Sequence, residues 1–73
     1  MSRIAVLGEA VRTEAFALAG AVVIVADSPD AARTAWRSLP DDVGVVVLTP
    51  LAADALGDAL AGARENMLVV TLP

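Results

Sequence analysis

Val43-Gly44-Val45-Val46-Val47-Leu48-Thr49-Pro50 decides how this chain is read. Its first six residues, four valines, a glycine and a leucine, run without a polar break. That is too continuous for a strand with one wet face and too short for a helix, so the run reads as a buried parallel strand. It passes directly into a helix opening. The Thr49 hydroxyl is suited to accept an orphan N–H of the first turn, and Pro50 occupies the first helical position, where a missing N–H costs nothing.

The same design recurs upstream. The apolar run Ala21 to Ala26 leads into Ser28-Pro29-Asp30, where Asp30 adds a negative charge at the positive end of the helix dipole. Ile4 to Leu7 and Met67 to Leu72 supply two more strand-like runs. Between the first two, Glu9 to Ala19 places Val11, Ala15, Leu18 and Ala19 on one helical face with Arg12 and Glu14 elsewhere, and Gly20 is a suitable C-terminal cap. Pro29 to Leu39 puts Ala32, Ala35, Trp36 and Leu39 inward and Arg33 and Arg37 outward, and Pro40 stops it. From Pro50 to about Ala63 the apolar face is Ala52, Leu56, Ala59, Leu60 and Ala63, with Asp54 and Asp58 outside. Gly57 and Gly62 weaken that helix by about 1 kcal/mol each relative to alanine.

A strand-helix alternation of this kind predicts an α/β fold in one domain, residues 1–73. Right-handed crossovers give a small Rossmann-like (flavodoxin-like) four-stranded parallel sheet of order 2-1-3-4 with three helices, the first on one face and the other two on the opposite face. The last strand alternates Leu68, Val70 and Leu72 with Met67, Val69 and Thr71. The greasier set is expected beneath the two helices. Met67, Val69 and Thr71 then lie on the more open face, where a partner helix would dock. Arg33 and Arg37, an i,i+4 basic strip on an acidic protein, are the next candidate contact, suited to an acidic partner.

Composition removes several function classes. The net charge is −4 and lysine and histidine are absent, so nothing here favours nucleic acid or an anionic membrane surface. Without cysteine there are no disulfides, thiolate chemistry or common zinc sites. No apolar run reaches the roughly 20 residues that span a bilayer, and Arg3 to Leu7 follows the first residues without a signal-peptide pattern, so the expectation is a cytoplasmic protein. The acid-base inventory is Asp, Glu and Arg, and Ser2, Ser28 and Ser38 have no base to activate them, so no active site is expected. Gly8 after the first strand and Asp27 after the second echo a dinucleotide site. However, the turn Gly8-Glu9-Ala10-Val11 lacks the further glycines, and Glu9 repels phosphate. Glu9 and Asp27 also echo a phosphoacceptor receiver domain, which needs an aspartate where this chain has Thr49, and a lysine. Both acids fit the plainer roles of helix start and turn. Trp36 reads as core, with an edge available to a partner.

Taken in order, Arg3-Ile4-Ala5-Val6-Leu7-Gly8-Glu9, Phe16-Ala17-Leu18-Ala19-Gly20, Asp27 with Pro29, Asp41 to Thr49, and Leu68-Val69-Val70-Thr71-Leu72-Pro73 make the chain similar to the small central-stalk protein of V/A-type rotary ATPases, their F subunit, along nearly its whole length. The resemblance implies a non-catalytic Rossmann-like domain without cofactor. It would bind the coiled-coil central-stalk subunit of the D type, rotate with it beneath the ATPase catalytic head, and lie in the cytoplasm at the membrane periphery without inserting. It further implies a role in coupling or regulating ATP-driven ion transport or ATP synthesis. Members of that family continue past the terminal proline into a segment and helix that also touch the rotor, whereas this sequence ends at Pro73. The second reading is a degenerate receiver-like signalling or protein-interaction module, and nucleotide binding is the third.

Overall fold

A computed structural model describes residues 3–10, 13, 20–62 and 67–73. Four strands, β1 (Arg3–Gly8), β2 (Val22–Val25), β3 (Val43–Leu48) and β4 (Leu68–Thr71), form one parallel sheet in the order β2-β1-β3-β4. Helix α1 (Pro29–Arg37) joins β2 to β3, and helix α2 (Pro50–Leu56) with a 3-10 helix (Gly57–Gly62) leads from β3 toward β4. The α/β class and the 2-1-3-4 order are those expected from sequence. Two α-helices are described rather than three. The expected first helix lies outside the described residues, apart from Glu9, Ala10 and Thr13, so the positions of Val11, Arg12, Glu14, Ala15, Leu18 and Ala19 are not described.

Both helix starts form as their sequences dictate. Ser28 Oγ accepts the Ala31 N–H at 3.1 Å and Thr49 Oγ1 accepts the Ala52 N–H at 3.3 Å, each from an extended N-cap followed by proline. The helix ends differ from expectation. Helix α1 stops at Arg37 rather than Leu39, and Ser38 closes it with its N–H on the Thr34 and Ala35 carbonyls. Helix α2 stops at Leu56, because Gly57 takes a left-handed φ of 48° and the chain continues as 3-10 turns instead of α-helix to Ala63. Gly57 therefore breaks that helix rather than merely weakening it.

Helices α1 and α2 cover one face of the sheet. The buried set there is Ala5, Leu7, Val43, Val46, Leu48 and Met67 from the strand side, against Ala32, Ala52 and Leu56 from the helices. Ala35 and Trp36 of α1, and Leu39 just beyond it, pack half-buried at its margin. Register explains the alignment, because Ala5, Val22, Val46 and Val69 are mutual neighbours across the four strands and therefore point the same way. One irregularity matters. Pairing steps from Arg3–Val43 to Ile4–Val45, passing over Gly44, so Val43 and Val46 both reach the helix-covered core although three positions apart.

The expected orientation of the last strand is corrected by this register. Met67 is buried in the helix-covered core and Val69 packs against it, whereas Leu68 is 61% and Val70 41% exposed on the opposite face. The physical reason is that β4 takes its facing from β3: Val46 points to the helices, and its neighbour Val69 must follow. Thr71, paired with Leu48, is exposed at the sheet end but belongs to the same helix-side set.

Candidate functional site

Two candidate regions lie on different parts of the sheet. The first is the C-terminal end of the strands. There Asp27, just after β2, accepts the Ala10 N–H on Oδ1 at 3.1 Å, and Thr13 donates its N–H to the Glu9 carbonyl at 3.2 Å. Asp27 thus braces the turn that follows β1 from across the sheet end, supplying a side-chain acceptor to the Ala10 N–H. Thr13 is fully buried, with its hydroxyl donating to the Glu9 and Ala10 carbonyls. Thr49 is also fully buried, against Gly8, whose missing side chain makes room: a Cβ there would overlap Thr49 Cγ2. The glycine that echoes a nucleotide turn serves instead the approach of two chain segments.

Glu9, Asp27 and Ser28 border a small cleft between the starts of α1 and α2, floored and walled by Ala26, Pro29, Ala32, Leu51, Ala52 and Ala55. Its volume is about 140 Å³. Sites for cofactors or drug-sized ligands usually begin near about 300 Å³. The hydroxyls of Ser28 and Thr49 are already spent on helix caps, and Thr49 stands where a receiver-like acceptor carboxylate would be needed. Among the described residues no group of three or more His, Cys, Asp or Glu side chains is placed to hold a metal ion.

The second region is the sheet face opposite α1 and α2. Register assigns to it Ile4, Val6 and Gly8 from β1, Val23 and Val25 from β2, Val45 and Val47 from β3, and Leu68 and Val70 from β4. No charged or hydrogen-bonding side chain occurs among these strand positions. Val6 is fully buried, but Ile4 and Val25 are each about half exposed, and Leu68 and Val70 stand open as noted. A sheet face meant for water alternates apolar with polar residues. This one does not: Val6 within it is buried, while Ile4, Val25, Leu68 and Val70 present apolar side chains at the surface.

The contacts expected from sequence are scattered over these regions. Met67 and Val69 lie in or against the core, and Thr71 is exposed at the strand end. Arg33 and Arg37 are both exposed on the outer face of α1, as expected. Arg33 is engaged with its own fold: it pairs with Asp30 and donates to the Ala55 carbonyl at 3.3 Å, tying α1 to α2. Sequence reasoning missed Ile4, Val25, Leu68 and Val70 as surface residues. For Leu68 and Val70 the sequence carries no local signal, because their facing is set by the pairing of β4 with β3. No family model matches this chain, and no curated protein matches it significantly.

Proposed function

We propose that the chain is a non-catalytic accessory subunit of the central stalk of a V/A-type rotary ATPase. In this reading it binds the coiled-coil D-type stalk subunit and turns with it beneath the catalytic head, in ATP-driven ion transport or ATP synthesis. Its place is cytoplasmic and peripheral to the membrane. Among the described residues no helix is long and apolar enough to cross a bilayer, which is compatible with such a place.

Support comes from the ordered likeness of the sequence, and the parallel four-stranded sheet is compatible with the Rossmann-like domain that likeness implies. The observation that carries the docking part is the apolar sheet face. A helix about 10 Å wide, laid across β1, β3 and β4, would cover Ile4, Val45, Leu68 and Val70 together. This face replaces Met67, Val69 and Thr71 as the docking surface. The test is affinity capture from native membranes with the tagged chain, followed by identification of the bound proteins. Recovery of a long coiled-coil subunit together with rotary ATPase catalytic subunits is expected. Recovery of neither would remove the proposal.

A further inference from the structure

The open edge of the sheet along β4 has no role in the stalk reading, which uses a face. We propose that this edge pairs with the same edge of a second copy, antiparallel about a two-fold axis through Val70, so that two four-stranded sheets join into one. The Leu72 N–H donates to the Leu48 carbonyl at 2.8 Å, which fixes the backbone alternation along β4. Leu68, Val70 and Leu72 turn their amides toward β3, and Val69 and Thr71 turn theirs outward. Because β4 ends the strand order, no strand among the described residues meets those outward groups. Natural sheets blunt such an edge with lysine or other charges, proline or a bulge. Leu68 to Thr71 carries none of these, and its pairing with β3 is regular.

A second copy is the occupant that the residues specify, because it brings the matching strand by symmetry. Centring the axis on Val70 keeps each face of one sheet continuous with the same face of the other and sets Val69 opposite Thr71 of the second copy. Both outward residues then exchange N–H and C=O across the axis, inside the strand's own bounds. Centring it on Val69 would set Thr71 against Met67, which precedes the strand and is buried in the core. With the axis at Val70, that valine meets its own counterpart as a closely spaced β-branched pair, and Leu68 meets Leu72, on the face where Leu68 and Val70 stand exposed. The β2 edge offers less: Val22, Val23 and Ile24 are already half-buried, and Asp27 follows the strand. Two chains of net charge −4 repel each other, and one short strand per copy buries less than the roughly 1,200 Å² of a standard interface, so the dimer is weak. The inference does not rest on the stalk assignment, and its test uses the chain alone.

The chain's lack of cysteine makes a single-site cross-link readable. Under mild oxidation Val70→Cys should form a disulfide dimer, because a non-hydrogen-bonded antiparallel pair holds its Cα atoms about 4.5 Å apart, within the span of a disulfide. Leu68→Cys and Val25→Cys are the controls. Both side chains are more exposed than Val70, so random collision would favour them, yet the proposed register brings neither near its own counterpart. Val70→Cys should cross-link at least about tenfold faster than either, since pairing raises the effective concentration of its two thiols. Sedimentation of the natural chain between about 10 µM and 1 mM should show monomer passing to dimer, with a Kd on the order of 0.1 mM that tightens as salt screens the repulsion. Thr71→Pro removes an outward N–H without touching the bond from Leu72 to Leu48, and should abolish the dimer while the chain stays folded by circular dichroism. If Thr71→Pro fails to fold, the cross-linking comparison decides alone. A monomer throughout that range, cross-linking of either control as fast as Val70→Cys, or a dimer that survives in folded Thr71→Pro would each overturn the inference.

Discussion

Gly8 and Thr49 show how much of this fold hangs on single contacts. The ends of β1 and β3 come together only because one partner has no side chain, with Thr49 Oγ1 2.5 Å from where a Gly8 Cβ would sit. Gly8→Ala is therefore expected to lose about 1 to 3 kcal/mol of stability in chemical denaturation, the usual cost of overpacking a close contact. In a Thr49→Ala background the same change should cost less, because the two nearest clashing atoms are gone. Equal costs in both backgrounds would refute the contact as the cause. At the other end of the sheet, Arg3 donates to Asp42 at 2.7 Å, and this bond holds the Asp42 carboxyl below its ordinary range. A carboxylate with a lowered folded-state pKa stabilises the fold above its unfolded value and loses that contribution as pH falls through the folded one. Both side chains are about half exposed, so the contribution is small. Asp42→Asn should flatten this part of the acid limb of a stability-against-pH curve; an unchanged limb would show that the pair contributes nothing.

At the scale of elements, the helix openings are legible in the sequence and the last strand's facing is not. Ser28-Pro29 and Thr49-Pro50 carry their cap chemistry in adjacent residues, so local reading suffices. The facing of β4 depends on pairing with β3, and Leu68 to Leu72 has apolar residues on both sides of the pleat, with Thr71 too weak a marker to give the alternation a sign. Ranking the two sets by size picks the wrong one. Gly57 is legible as a weak point but not as a stop, because ending α2 there requires the left-handed φ that only the folded backbone reveals. The cleft is illegible for a related reason: Glu9, Asp27 and Leu51 belong to three separate segments and meet only through the sheet order. The corrected facing makes a paired prediction. Val69→Asp places a charge against the core and should unfold the isolated domain, whereas Leu68→Asp meets water and should leave it folded, as read by circular dichroism and a denaturation midpoint. The reverse pattern would reinstate Met67, Val69 and Thr71 as the open face. Trp36 is half-buried at the core margin, so Trp36→Ala should cost about 2 kcal/mol rather than the roughly 3 to 5 of a fully buried tryptophan.

For the whole molecule, size and coverage act together. A chain of 73 residues buries only about 60% of its unfolded surface, and much of its apolar content is alanine, which contributes little area. Exposing Ile4, Val25, Leu68 and Val70 gives up further burial that a partner would recover. A partner that binds only the folded state raises apparent stability by mass action, about 2.7 kcal/mol at a hundredfold excess over Kd. The domain alone should accordingly unfold at low denaturant, and its midpoint should rise when the stalk coiled coil is added. A high midpoint that the coiled coil leaves unchanged would contradict this.

The most direct test of the central claim is calorimetric titration of the purified chain with a purified D-type coiled-coil subunit, using the natural sequence and Leu68→Asp in parallel. A one-to-one complex is predicted for the natural chain. A charge buried at the interface should weaken it by at least about tenfold in Leu68→Asp while the variant stays folded. No complex with the natural chain would contradict the stalk assignment, and equal affinity for a folded Leu68→Asp would contradict the apolar sheet face as its docking surface.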